Sequence, residues 1–264
     1  MTLSGKTIAV IGGTTGLGFS AARALAKAGA KLGVCGRSEE SLATALETLG
    51  EETIGFCGDA TDAETSDRLI AELVERFGRL DGLYHVAGGS GRAQGDGPLH
   101  EMTDEGWRYT LDLNLTSVAW SNRAAVKQFL AQGDGGVILN LGSVLGFSPS
   151  PEYFASHAYA ATKSAVIGFS RSIAARYAAD DIRVNVIAPA LVETPMSARA
   201  QTNQEIMAFT HSKQPLDGGR IGVPGDLDEA VVFLLGPGAR FITGQVLAVD
   251  GGWSVTEGQV PKRS

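Results

Sequence analysis

Cysteine, basic charge and long apolar runs are all scarce in this chain, and each scarcity removes a class of protein. Cys35 and Cys57 are its only cysteines, and both sit in apolar, strand-like runs where a thiol packs as a small hydrophobe. A disulfide scaffold is excluded, and the setting expected for the chain is the reducing cytoplasm. Lys and Arg number 22 against 29 Asp and Glu, for a net charge of −7 over 264 residues. Nucleic acid as a partner is thereby excluded, because neutralising phosphates takes a basic face. AVVFLLG (Ala230–Gly236) is among the longest apolar runs, far short of the roughly 20 residues that cross a membrane, so no membrane partner is expected. The opening MTLSGKTIAVIGG has no basic region ahead of a cleavable apolar one, and no secretion leader is expected. No metal site is assigned. Charged residues are only 19% and hydrophobic ones 44%, which excludes disorder and provides for a sizeable core.

What is present is alternation. Short apolar runs, Thr7–Ile11, Lys31–Cys35, Thr53–Cys57, Leu80–Gly88, Gly135–Ser143, Ile182–Pro189 and Gly244–Gly252, are separated by amphipathic helical patterns, one of them around Glu105–Ala131. Seven nearly all-apolar strands joined by crossover helices predict a parallel sheet covered on both faces, the doubly wound α/β Rossmann arrangement. With no linker, repeat or low-complexity block, one domain spanning 1–264 is expected. The alternation lapses between Glu193 and Asp226, where weak helical signals and Pro/Gly stops replace strands. A long excursion on a compact frame reads as a substrate-binding segment.

The first strand runs into GGTTGLG (Gly12–Gly18) and then directly into a helix. That placement suits a dinucleotide, whose pyrophosphate needs close backbone approach and the amides of a helix N-terminus. Gly12, Thr14, Thr15, Gly16, Leu17 and Gly18 are the candidate contacts. Gly16, Gly18 and Ala21 also fit G-x-G-x-x-A, so the part played by each glycine stays open. A phosphate-binding loop of the nucleotide-hydrolase type is excluded, since no Gly-Lys-Ser/Thr follows. The second strand ends VCGRS, offering Arg37 and Ser38 where a carboxylate would otherwise meet a free ribose 2′-hydroxyl. A guanidinium suits a 2′-phosphate, so NADP(H) is favoured and NAD(H) is the alternative.

In YAATK, Tyr159 and Lys163 stand at i, i+4 on one helix face, sixteen residues beyond Ser143 in LNLGS. An ammonium so placed favours the phenolate and is expected to pull the tyrosine down from about 10.

With these motifs in order, the chain resembles the short-chain dehydrogenase/reductase family in its compact form, of the 3-oxoacyl-carrier-protein reductase-like kind. The family's Thr-Gly-x-x-x-Gly-x-Gly turn matches Ile11–Gly18, with isoleucine for threonine, and GDATD resembles its third-strand end. By that resemblance Asp59 holds the adenine amino group and Ala60 lines the ring. The family's Asn-Asn-Ala-Gly appears as His85-Val86-Ala87-Gly88, and LDLNLTS supplies Asn114. NVIAPALVETPM is similar to the segment that embraces the nicotinamide, with Pro189, Val192 and Thr194 in place and Ala190 where glycine is usual.

The resemblance implies hydride transfer between a nicotinamide and a ketone or secondary alcohol. Tyr159 is then the proton donor and acceptor, Ser143 the hydrogen-bond donor to the substrate oxygen, and Lys163 the partner of the phenol and of the ribose hydroxyls. Asn114 would hold a water that relays protons from Lys163. His85 is read as structural.

Phe147, Pro149, Pro151, Tyr153 and Phe154 are expected to wall one side of an apolar pocket, and Val192, Met196, Met207 and Phe209 the other. A medium-sized hydrophobic or cyclic substrate follows. The rivals are a non-catalytic regulator that senses NADP, and a dehydratase or epimerase with a tightly held cofactor. The alanine-rich stretches Trp107–Ala131 and Ser156–Ala179 suggest helices covered on both faces; a homotetramer is expected, with a dimer as fallback.

Overall fold

The strands are short and apolar, and all but the edge strands of the sheet are largely buried, so they need a helical layer above and below. In the computed structural model, which describes residues 2–257, the order is β1 (Thr7–Ile11), α1 (Gly16–Lys27), β2 (Lys31–Gly36), α2 (Glu39–Leu49), β3 (Thr53–Cys57), α3 (Ala63–Phe77) and β4 (Gly82–His85). There follow α4 (Asp104–Leu111), α5 (Ser117–Gln132), β5 (Gly136–Leu141), α6 (His157–Tyr177), β6 (Ile182–Pro189), α7 (Ala198–Gln201), α8 (Gln204–Lys213), α9 (Asp228–Leu235) and β7 (Val246–Val249). The strands form one parallel sheet in the order β3-β2-β1-β4-β5-β6-β7, which reverses direction between β1 and β4. In such sheets the ligand crevice opens beyond the carboxyl ends of the strands at that reversal.

Side chains alternate across the sheet, and the two cores follow from that period. Ile8 and Val10 of β1 join Leu25, Val34, Tyr84, Val231 and Leu235 on one face, while Ala9 and Ile11 join Leu69, Leu83, Phe129 and Val184 on the other. The seven strands fall where the apolar runs predict them, although β4 pairs only over Gly82–His85.

Two differences bear on the site. The helix predicted around Glu105–Ala131 is two helices, α4 and α5, joined by a single π-helical segment at Asp112–Thr116. The excursion at 193–226 contains α7 and α8 and returns to the frame through one parallel bridge, Val192 to Gly222.

Candidate active site

The glycine turn lies where β1, β2 and β4 end. The isoleucine at its start cannot donate a side-chain hydrogen bond, and the backbone does the work instead. Gly12 and Gly13 both donate to the Cys35 carbonyl at 3.0 and 3.1 Å, while Val86 and Ala87 both donate to Ile11 at 2.9 Å. Two of the glycines have a part that no side chain would allow. Gly12 has φ +86° and packs so closely on β4 that a Cβ would lie 2.7 Å from the Ala87 nitrogen. At Gly18 a Cβ would be 2.0 Å from the Gly12 carbonyl oxygen, so only glycine lets α1 start against the turn.

A groove of about 1020 Å³, counted out to solvent, runs over this turn, lined by Gly12, Thr14, Thr15, Gly16, Leu17 and Gly18. Arg37, Asp59, Ala60, Ala87 and Gly88 line it further on. Its floor is the start of α1, and its glycines leave open the room side chains would fill, so these residues fit a dinucleotide pyrophosphate. Asp59 spends one oxygen on Thr61, accepting from its backbone nitrogen and hydroxyl at 2.9 and 2.8 Å. Ser38, next to Arg37, caps α2, its hydroxyl accepting from Ser41 N at 3.2 Å.

Beside the groove opens a second cleft, of about 940 Å³ out to solvent, lined by Ser143, Tyr159, Pro189 and Val192. Leu17, Leu141, Thr194 and Met196 line both, so groove and cleft share one wall. Ser143 follows β5 and is buried; Tyr159 enters from the first turn of α6. The turn after Ser143 is pressed against α6 at Gly146, where a Cβ would come within 2.8 Å of the Ser164 nitrogen.

Lys163 is buried, donates to the Leu141 carbonyl at 2.8 Å, and has its Nζ 5.5 Å from the centre of the Tyr159 ring. The expected fall in the tyrosine pKa is not found. Burial disfavours the phenolate and pushes Tyr159 up to about 12, opposed by the Ser143 hydroxyl. Burial also lowers Lys163 to about 8. Both ionised forms lose hydration, and that outweighs the proximity read from the i, i+4 spacing.

Asn114 sits in the π segment, wholly buried. Its amide donates to Gly89 O at 2.8 Å and Thr110 O at 2.9 Å, and its Oδ1 accepts from Gly89 N at 3.0 Å. The side chain thereby clamps the Gly88–Gly89 turn at the end of β4. His85 is buried between Ser121 Oγ at 2.7 Å and the Ala87 carbonyl at 3.2 Å, and burial lowers its pKa to about 3, with the Lys163 charge adding to the fall. It is a neutral structural histidine. Ala190 needs no glycine, since the only non-glycine residues of positive φ among those described are Asp181 and Asp217.

The predicted apolar walls are partly found. Phe154, Val192 and Met196 line the cleft, whereas Phe147 is 45% exposed and Met207 is not among the lining residues. Trp253, absent from the sequence-based prediction, lines it too, edge-on to Phe154 and Phe209 at 5.7 Å, with Tyr153 against Phe209 at 5.3 Å. Gln214 was also missed. From the excursion it clasps the end of β6, accepting from Leu191 N at 3.0 Å and donating to Leu191 O at 3.2 Å.

The third omission is Asp96, whose two oxygens accept from Ala158 N and Tyr159 N, both at 3.0 Å, capping α6 at the residue that carries the phenol. Losing a buried acceptor from two donors costs about 1–3 kcal/mol. Asp96→Ala is expected to lower the melting temperature by a few degrees and to reduce kcat. Calorimetry and steady-state kinetics check this, and an unchanged kcat would remove Asp96 from the positioning of Tyr159.

Residues 12–254 match a family model described as enoyl-(acyl carrier protein) reductase, of the short-chain alcohol dehydrogenase type. The chain is 34% identical over 251 residues to cis-4-hydroxycyclohexanecarboxylate dehydrogenase of Sinomonas cyclohexanicum, covering 94% of this chain and 96% of that one. Among solved structures it is similar to a short-chain type dehydrogenase/reductase from Mycobacterium ulcerans, with a TM-score of 0.89, 31% identity and coverage of 97% and 92%. It is also similar to 3-ketoacyl-(acyl-carrier-protein) reductase from Brucella melitensis complexed with NADH, with a TM-score of 0.84, 27% identity and coverage of 96% and 100%. With a parallel seven-stranded sheet, a glycine turn at its reversal and Ser143, Tyr159 and Lys163 gathered beside it, the chain belongs to the short-chain dehydrogenase/reductase family, oxidoreductases of alcohols and ketones.

Proposed function

We propose that the chain interconverts a ketone and a secondary alcohol of medium size and apolar or cyclic body, using NADP(H). The observation that carries this reading is the placing of Ser143 and Tyr159 in a cleft that shares its wall with the glycine-turn groove. When bound, the nicotinamide supplies or accepts the hydride. In the reducing direction the Tyr159 hydroxyl gives its proton to the carbonyl oxygen, and Ser143 Oγ donates a hydrogen bond to the same oxygen. A phenol held near 12 carries that proton at neutral pH. Lys163 stands behind Tyr159 as the neighbouring charge. With the Asn114 amide committed to Gly89 and Thr110, a relay water beside Lys163 would be held by backbone of the π segment.

The apolar lining of Val144, Leu145, Phe154 and Trp253 supports a ring-sized substrate, as does the cyclohexane ring in the name of the Sinomonas relative. Arg37 on the groove supports NADP(H), and the NADH in the Brucella structure makes NAD(H) the alternative to test. A panel of cyclic and open-chain ketones and alcohols, followed by nicotinamide absorbance in both directions, tests the reading. Cofactor binding with no turnover would favour a sensor, and turnover without release of free cofactor a dehydratase or epimerase. Among the described residues no helix is long and apolar enough to cross a membrane, and the free thiols Cys35 and Cys57 support a reducing cytoplasm.

We also propose a homotetramer, or failing that a dimer. β7 is the sheet edge, Leu247 on it is 39% exposed, and Phe241 just before it is fully exposed, apolar surface of the kind that copies of a chain cover. Light scattering at micromolar concentration is expected to give four chains per particle. A monomer would refute it.

A further inference from the structure

Two arginines line the cleft that holds Ser143 and Tyr159, and neither is paired. Arg92, from the loop after β4, and Arg199, from α7, are brought together only by the fold. Both Nη2 atoms donate to one acceptor, the Tyr153 carbonyl, at 3.4 and 2.9 Å. Neither arginine is salt-bridged to a carboxylate among the described residues, although both line a cleft. The acid nearest in role, Asp96, has both oxygens committed to the N-terminus of α6. A guanidinium has five N–H donors, so one shared carbonyl leaves most of both forks unspent. Half-burial of Arg92 lowers its pKa and the like charge of Arg199 adds to the fall, while the more distant charge of Asp96 opposes it without a salt bridge. The rest of the lining is chiefly apolar, with Val144, Leu145, Phe154 and Trp253 facing the space.

From the convergence of Arg92 and Arg199 over an apolar cleft we infer that the substrate is a ring or similar apolar body bearing a carboxylate, which the two guanidiniums bind while its ketone or alcohol carbon faces Tyr159 and Ser143. The inference rests on the ketone/alcohol reading of the cleft. It makes Arg92 and Arg199 the residues that set specificity for charge, since paired N–H donors of a guanidinium match the two oxygens of a carboxylate. A neutral substrate of the same shape would leave two cations facing an apolar wall.

The test is calorimetric titration of the cofactor-saturated enzyme with cyclohexanecarboxylate and with cyclohexanecarboxamide, which has similar size and no charge. Wild type is expected to bind the carboxylate about tenfold or more tightly than the amide, as hydrogen bonds between charged groups allow. That ratio should shrink as salt is raised, because Arg199 is exposed. The double variant Arg92→Gln/Arg199→Gln should bring the ratio close to one, and Arg199→Lys should keep most of it. Equal binding of the two ligands by wild type, no measurable carboxylate binding, or parallel weakening of both ligands in the double variant would overturn the inference. The last result would mean that the arginines only pin the loop at Tyr153. Should the double variant fail to fold, the wild-type ratio and its salt dependence still decide.

A kinetic comparison of 4-oxocyclohexanecarboxylate with its methyl ester separates the two levels. Turnover of both with no preference for the acid overturns the carboxylate site and leaves the oxidoreductase reading intact. No turnover of any ketone in the panel with either cofactor overturns that reading, while the titration still judges the arginines.

Discussion

Tyr159→Phe is expected to lower kcat by about 10²–10⁴-fold, the usual contribution of a positioned proton donor, with cofactor affinity nearly unchanged. The substitution removes one oxygen and leaves the ring, which keeps its place beside Lys163. Ser143 stays to orient the substrate oxygen but has no comparable acidity. A variant that keeps more than about a tenth of the wild-type kcat on a good substrate would take the proton role from Tyr159.

The same residue sets a pH signature. The folded-state pKa is raised to about 12, so the phenol is protonated throughout the neutral range. Ketone reduction consumes that proton and should be flat across neutral pH. Alcohol oxidation needs the phenolate and should climb with pH, approaching tenfold per unit while the phenolate is the minor form. Profiles of kcat/KM in both directions check the sign, and an oxidation rate that fell with rising pH would contradict it.

Arg37→Ala is expected to weaken NADPH binding by roughly ten- to 150-fold, from the loss of about 1.5–3 kcal/mol in charged hydrogen bonds, and to leave NADH almost untouched. Arg37 is exposed at the rim of the groove and free of any salt bridge among the described residues, so nothing else competes for its fork. Dissociation constants for both cofactors on wild type and variant decide the matter. Equal losses would make Arg37 a fold residue, and tighter NADH binding by wild type would reverse the assignment. A converse switch, an acid at Gly36, meets a steric limit. A Cβ there would fall 2.2 Å from Thr14 Oγ1, so Thr14 must be moved or trimmed before an acid can accept from a ribose hydroxyl.

How much of this was legible follows from what each signal depends on. The strands declare themselves through unbroken apolar runs, and the glycine turn through its place between a strand and a helix. Ser143, Tyr159 and Lys163 are legible because a family pattern marks them, but the pKa of Tyr159 is not: spacing reports a neighbouring charge and says nothing of lost hydration. Asp96 is a lone acid in a glycine-rich loop, and only the fold shows that it reaches two amides on α6. Arg92 and Arg199, each unremarkable in sequence, gain meaning only where the fold brings both to the Tyr153 carbonyl and the cleft. Trp253 gave no signal either, since its packing partners Phe154 and Phe209 lie far back along the chain.

The π segment at Asp112–Thr116 has a consequence for what the chain can tolerate. A π turn stores one residue more than a regular α-helix of the same rise, and an α-helix advances about 100° per residue. Deleting any one residue there would let α4 and α5 merge into a single uninterrupted helix, a change that conserves hydrogen bonding and would pass a test of helical content. Because the wider turn already takes up that residue's rotation, its loss would leave α4 and α5 in their present phase; the change falls on the segment itself, where Asn114 would leave Gly89. Elsewhere the interior of a helix is where a lost residue breaks the ladder. Here the damage would be silent in the ladder and confined to aim, so a shortened homologue with a perfect helix would be the one to suspect of having lost the site.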